Sequence, residues 1–326
     1  MPLSLRRGSV TEVTERREGL VRCEVDGEPC VAYPELTGPV ALGDEVVVNV
    51  QARQLGLGSG GFDVLHANLT RGVGLEVEPG AHVMKLPYTP LQFAARHVEE
   101  DRRLPETLNG TPVVCCSLHS QVAPVCAALA GLRVAYVQLA GGALPLALSN
   151  TVHELRGRGL IATTVSAGAC FGGDVECVTT ASALGWAAAA HDVVVCAIGP
   201  GIVGTASRLG HGGIAAGEAA NIAGALGGRP VLAVRASSGD ARERHRGVSH
   251  HTHAVVELCI ADAAVAWPAG VEAPDWLERR EEVDAAGWRE ACAGLPLEHM
   301  GRGPDDDPAF FEAAHAAGKL ARGLVP

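Results

Sequence analysis

Six short apolar runs recur between residues 111 and 270: "TPVVCCSL", "RVAYVQLA", "LIATTVS", "DVVVCAIG", "PVLAVRAS" and "ADAAVAWP". Each is apolar at consecutive rather than alternate positions. A strand without alternation is buried on both faces, as strands are in parallel sheets covered by helices. The runs are spaced by roughly twenty to thirty-five residues, and the Ala-rich stretches between them are long enough for crossover helices. Residues 111–270 are therefore expected to form an α/β domain: a mostly parallel, Rossmann-like sheet of about six strands flanked by helices. Aromatics make up only 4% of the chain, so this core must be built from Ala, Val, Leu and Ile.

The pattern before this region is different. From Gly8 to about Leu69 apolar and polar residues alternate, as in "GSVTEVTER" and "GDEVVVNVQ", with turn signals at Asp26-Gly27 and Gly43-Asp44 and a flexible "GLGSGG" loop at 56–61. Residues 1–72 are expected to form a small β-barrel of SH3-like or OB-like size. Residues 73–110 read as a connector with a helix after Pro90. Residues 271–326 read as a helical C-terminal appendage packed on the α/β domain. Its last helix starts at Asp307-Pro308, and Phe310 and Phe311 are its docking anchors.

Charge excludes some functions. The formal net charge is -11, and the barrel region has no basic stripe, so a nucleic-acid partner is disfavoured. The N-terminus carries no apolar run of signal-peptide length, and the apolar stretch from Ala181 to Gly199 is broken by His191-Asp192. No membrane partner and a cytoplasmic location are expected. The ten cysteines include no C-x-x-C pair, so reduced, structural thiols are expected. A homodimer is the base-rate expectation for assembly.

In open parallel sheets, ligands bind beyond the carboxyl ends of the strands. The turns expected there carry His119-Ser120, then Gly141-Gly142, then Ser166, Gly168, Gly172, Gly173 and Asp174, then Gly199, Gly201 and Gly204, and finally the segment from Ser237. His119 and Ser120 could be base and nucleophile, although adjacent side chains tend to point apart. Cys170 lies in a glycine-rich loop. Asp174 could accept a proton, hold a metal or cap a helix beginning near Glu176. Gly199-x-Gly201-x-x-Gly204 has the spacing of a dinucleotide-binding turn, but Gly210-His-Gly-Gly213 would break the helix it needs. Arg235-Ala-Ser-Ser238 also lacks the usual ribose-binding carboxylate. No cofactor is named on this basis.

The segment "SSGDARERHRGVSHHTH" (237–253) concentrates four of the thirteen histidines with Arg242, Arg244 and Arg246. Ser249 is a good N-cap for a helix through "HHTHAVVELCI". On that helix His250, His253 and Glu257 share a stripe that could ligate zinc, with a solvated face as the simpler reading. His251 falls on the apolar side and could project into the cleft. The arginines suit a mobile lid over an anionic ligand, with Arg242 and Arg246 neutralising its charge.

"CCSLHSQVAPV", "TVSAGACFGGDVECVT", "AIGPGIVGTASRLGHGG", "RASSGDARERHRGVSHHT" and "EHMGRGPDDDPAFFEAAHAAG" together resemble the bacterial family known as domain of unknown function (DUF) 3866. The resemblance spans essentially the whole chain. It implies no activity, substrate, cofactor or site residue.

The function expected from the residues is binding of a small anionic, phosphate- or nucleotide-like ligand at the carboxyl edge of the sheet, with or without catalysis. His119, Asp174, His245 and His251 are the candidate acids or bases, and Ser120 and the glycines above are binding candidates. The alternatives are a non-catalytic regulatory or assembly protein and a metal-dependent hydrolase.

Overall fold

Alternation between water and core shapes the N-terminal part of the chain. The computed structural model describes residues 3–56, 60–101 and 103–325, so Leu57, Gly58 and Ser59 of the expected loop lie outside the described residues. Contacts divide the chain into two units, Met1–Arg96 and His97–Pro326.

In the first unit, β1 (Leu5–Arg17), β2 (Leu20–Val25) and β3 (Glu28–Ala32) form an antiparallel meander. A helical turn, α1 (Pro34–Thr37), leads to β4 (Glu45–Asn49), and a second, α2 (Gln51–Gln54), precedes β5 (Asp63–Asn68). The strands close into a barrel in the order β1-β2-β3-β5-β4. Val21, Cys23, Val25, Cys30, Val46, Val48 and Leu65 fill its interior. Asp26 and Gly27 both have positive φ, 54° and 80°, as a two-residue type I′ hairpin requires.

After the barrel, β6 (Val83–Lys85) and β7 (Phe93–Ala95) pair as a short hairpin. The helix expected after Pro90 does not form. Its residues supply β7, and positive φ at Leu86 and Tyr88 bends the approach away from helical geometry. The next helix, α3 (Val98–Asp101), is a single turn at the start of the second unit.

The second unit is built on eight strands rather than about six. These are β8 (Pro112–Cys116), β9 (Val134–Leu139), β10 (Thr163–Ala167), β11 (Val175–Cys177), β12 (Val193–Ile198), β13 (Arg229–Ala233) and, after the small off-sheet pair β14 (Ala236–Ser237) and β15 (Gly247–Val248), β16 (Ala264–Pro268) and β17 (Arg280–Val283). All eight are parallel, in the order β11-β10-β9-β12-β8-β13-β16-β17. Every residue of β8, β9 and β12 is buried, which is why their sequences show no alternation. The two unforeseen strands sit at the edges. There a polar sequence such as "REEV" in β17 meets water and carries no apolar-run signal.

Helices α4 (Val122–Ala128) and α5 (Asn150–Gly157) pack on one face, and α6 (Thr180–Ala188), α7 (Ala215–Ala225) and α8 (His250–Leu258) on the other. The short α9 (Trp288–Ala291) and the last helix, α10 (Pro308–Gly323), join α4 on the first face. Helix α10 starts at Asp307-Pro308 as expected, and Phe310 and Phe311 are fully buried. Among the described residues no helix is long and apolar enough to cross a membrane.

Strand order positions the site. The connections leaving β8 and β9 run to α4 and α5 on one face, whereas those leaving β12 and β13 run to α7 and α8 on the other. Because β12 and β13 flank β8, the chain diverges on both sides of it at the carboxyl edge. This is the switch point at which open α/β sheets take ligands.

Candidate functional site

The chain leaving β8 turns through a 3-10 segment, His119–Gln121, into α4. The imidazole of His119 donates from Nδ1 to the Ile198 carbonyl at 3.1 Å, which leaves Nε2 as the accepting nitrogen. The Ser149 hydroxyl donates to it at 2.7 Å, and Ser149 in turn caps α5 by accepting from the Val152 amide. Burial pushes His119 down to about 4, so the ring is neutral at physiological pH. His119 and Ser120 do not act as a pair. The Ser120 hydroxyl lies 3.1 Å from Nδ1 of His299, a residue near the other end of the chain.

The glycine turns pack against one another. A Cβ on Gly142 would lie 2.1 Å from the Gly199 carbonyl oxygen, and one on Gly199 would lie 2.0 Å from that of Ala143. Gly141, at φ +136, meets Gly212, where a Cβ would lie 1.9 Å from the Gly141 oxygen. The close approach that glycine permits is thus used by chain against chain. Gly199-x-Gly201-x-x-Gly204 opens no helix: Gly204 forms a bridge with His211, and α7 starts at Ala215. The arrangement is not that of a dinucleotide-binding turn, in which the last glycine begins the helix.

Ser166 is a buried residue of β10, and Gly168, Gly172, Gly173 and Asp174 belong to the turn between β10 and β11. The Gly173 amide donates to Ser166 Oγ at 2.9 Å, the Gly172 amide to Glu176 at 2.7 Å, and the Gly168 amide to the Cys177 carbonyl. Asp174 accepts from the Thr164 amide at 2.8 Å and from Arg156 at 2.7 Å, tying β10 to α5. It caps no helix. Glu176 is part of β11, and α6 is capped by Thr179. Cys170 is buried.

The turn after β13 is where polar side chains collect. Arg235 follows the strand, and β14 and β15 pair across a loop that holds Asp240, Arg242, Arg244, His245 and Arg246. Ser249 caps α8 as expected, accepting from the His251 amide. Its hydroxyl also lies 2.7 Å from His245 Nδ1. Arg235, buried, donates from Nη1 to His251 Nδ1 at 2.9 Å. The His251 ring stacks on His211 at 3.7 Å between centroids and lies 4.5 Å from His250 and 5.0 Å from His245. Burial, reinforced by Arg235, pushes His251 down to about 2 and His245 to about 3, and His211 and His250 move the same way. All four imidazoles are neutral near pH 7.

Two buried carboxylates hold the arginine loop. Asp240 accepts from both Nε and Nη2 of Arg242, at 2.9 and 2.8 Å, and from Arg302 at 3.2 Å. The Arg242 hydrogen bonds hold it far below the usual carboxylate range. Asp307, at the start of α10, accepts from the Ser237 hydroxyl at 2.6 Å, the Ser238 amide at 2.8 Å and Arg302 Nε at 3.1 Å. The loop expected to be a mobile lid is therefore a pinned hairpin. Arg242 is folded onto Asp240, and Arg244 and Arg246 remain exposed.

Of the stripe on α8, only His250 joins the cluster. His253 is exposed, packs against Trp276 and lies 3.7 Å from Glu257, which pairs with Arg208. A groove at the opposite, amino end of β13 and β16 contains Arg279, but that side chain is committed to the carbonyls of Val256, Cys259 and Ala261.

His211, His299, Arg302 and Asp307 were not among the residues singled out for the site. His211 sits between glycines that read only as helix breakers, and His299 and Arg302 belong to an irregular stretch without periodicity. Asp307 carried a signal, the helix start, that pointed to capping alone.

The model of the family described as a protein of unknown function (DUF3866) matches residues 29–318, and the chain belongs to that family. A comparison with curated proteins finds no match.

Proposed function

We propose that this DUF3866 protein binds a small anionic ligand, phosphate- or nucleotide-like, at the carboxyl edge of its sheet beside β8 and β13. One observation carries the reading. Arg235 Nε, both ring nitrogens of His211 and Nε2 of His299 are buried without a hydrogen-bond partner among the described residues. Buried polar groups left unpaired cost on the order of 1–3 kcal/mol each, so a cluster of them is accounted for by a ligand that pairs them. The guanidinium N–H and the one N–H that each neutral imidazole carries call for an acceptor, and Arg235 adds a fixed positive charge. An anion fits both requirements. Arg244 and Arg246, exposed on the hairpin above, supply further positive charge at the rim. The side chains also leave room for proton transfer, with neutral imidazoles at hand, but the reading rests on binding alone.

The test is a thermal-shift panel on chelator-treated protein at near-physiological salt, with orthophosphate, pyrophosphate, sugar phosphates, nucleotides and nicotinamide cofactors. A ligand at a hundred times its Kd adds about 2.7 kcal/mol to stability, which a melting curve resolves. The expected outcome is a selective rise for one class of phosphate, reduced in Arg244→Ala with Arg246→Ala. A flat panel on well-folded protein would reject the reading.

A further inference from the structure

Three imidazoles meet around one serine. His245 ends the 3-10 turn Glu243–His245, His250 and His251 open α8, and Ser249 between them contacts both arms, His245 Nδ1 at 2.7 Å and the His251 amide at 3.2 Å. One nitrogen from each ring can be chosen so that all three lie within 4.8 Å of one another. The ring centroids are 4.5 to 5.0 Å apart. No hydrogen bond joins these rings among the described residues, and His250 Nε2 is buried without a partner. An apolar core does not gather imidazoles in this way, because each brings polar nitrogens that must be paired.

We infer that His245, His250 and His251 form a binding site for a divalent transition-metal ion of the kind imidazole favours, zinc foremost. The Ser249 hydroxyl on His245 Nδ1 is the outer contact that orients a ligating imidazole and leaves Nε2 for the ion. Zinc–nitrogen bonds of ~2.0–2.1 Å in a tetrahedron set ligand nitrogens ~3.4 Å apart. Rotation about the side-chain torsions brings the three rings inward to that spacing. His251 has a second role. Arg235 donates to its Nδ1, so guanidinium and ion are alternative partners of the same ring, and Asp240, already 3.7 Å from Arg235 Nη2, receives the displaced guanidinium. His253 and Glu257 take no part, although they share a helix face with His250. The inference goes beyond the anion reading and does not depend on it, since the anion panel is run on metal-free protein.

The experiment uses the full chain purified without a histidine tag, stripped with chelator and dialysed against Co(II) or Zn(II). One Co(II) per chain is expected, with visible absorption of tetrahedral intensity that zinc displaces. His245→Ala and His250→Ala should each lose the signal, while His253→Ala should keep it. His245→Gln and His250→Gln, which retain side-chain bulk, replace any alanine variant that does not fold. Folded wild-type protein that dialyses free of metal would overturn the assignment. So would folded variants at positions 245 and 250 that bind Co(II) as the wild type does.

Discussion

Arg235 Nη1 lies 2.9 Å from Nδ1 of His251, and both side chains are buried. A guanidinium only donates, so His251 must accept at Nδ1 and stay neutral. The positive charge of Arg235 is answered not by its hydrogen-bond partner but by Asp240, 3.7 Å away. That carboxylate also faces Arg242 and Arg302.

Asp240→Asn should therefore be among the more damaging single substitutions. It leaves three guanidinium groups facing one another, with Asp307 the remaining carboxylate partner of Arg302. Removing one partner of a buried ion pair costs about 3–5 kcal/mol, and the lower end applies here because Arg242 is about one-third exposed and screened by water. Urea denaturation measures the loss. A change under ~1 kcal/mol would mean that Asp240 is not the group neutralising Arg235.

Asp307→Ala should uncouple the arginine hairpin from α10. The carboxylate accepts from Ser237, Ser238, Gly239 and Arg302. Hydrogen bonds to a charged group contribute about 1.5–3 kcal/mol each, and they are not additive, so a loss above ~2 kcal/mol is expected. Hydrogen exchange at the Ser238 and Gly239 amides should accelerate beyond what the global destabilisation explains. Unchanged local protection would show that β14 and β15 hold the loop by themselves.

Stability should fall on mild acidification. His119 is pushed from its ordinary 6.5 to about 4 by burial, and His191 and His315 are displaced in the same direction for the same first reason. With a folded value below the unfolded one, the unfolded chain binds more protons in the interval, so stability rises with pH there. The contribution of His119 is fully present above about 6.5 and is lost as pH falls toward 4. Melting temperatures between pH 7.5 and 4.5 should drop, and His119→Gln should flatten part of the slope. An identical slope in that variant would assign the acid sensitivity to other groups.

Gly318→Ala sets two effects against each other. Alanine is the better helix former by about 1 kcal/mol, and Gly318 is inside α10. Its Cβ, however, would lie 2.4 Å from the Val125 carbonyl oxygen and 2.7 Å from Ala128 Cβ on α4, both poorly able to move. Overpacking of this kind costs about 1–3 kcal/mol, so net destabilisation is expected. A raised melting temperature would mean that α10 shifts away from α4 at little cost.

Much of the architecture is written in local pattern. The six apolar runs became six central strands, Asp26-Gly27 became a hairpin turn, Asp307-Pro308 became a helix start, and Ser249 became an N-cap. Each depends on burial periodicity or on the conformational preference of a few adjacent residues, which the sequence by itself determines. The segment from Ser237 to His253 was legible as a candidate site for the same reason, because its cations are neighbours in the chain. Three things were decided only by the tertiary structure. β12 returns to lie between β9 and β8, edge strands form from the three-residue β11 and the polar β17, and His211 and His299 arrive beside residues distant from them in the chain. Arg302 and Asp307, from the stretch that leads into the last helix, likewise reach the arginine hairpin across more than sixty residues, Arg302 at Asp240 and Asp307 at Ser237 and Ser238. Local preferences are short-ranged, whereas these partners meet only after strand order and loop closure have placed them, and no pattern within one segment encodes that placement.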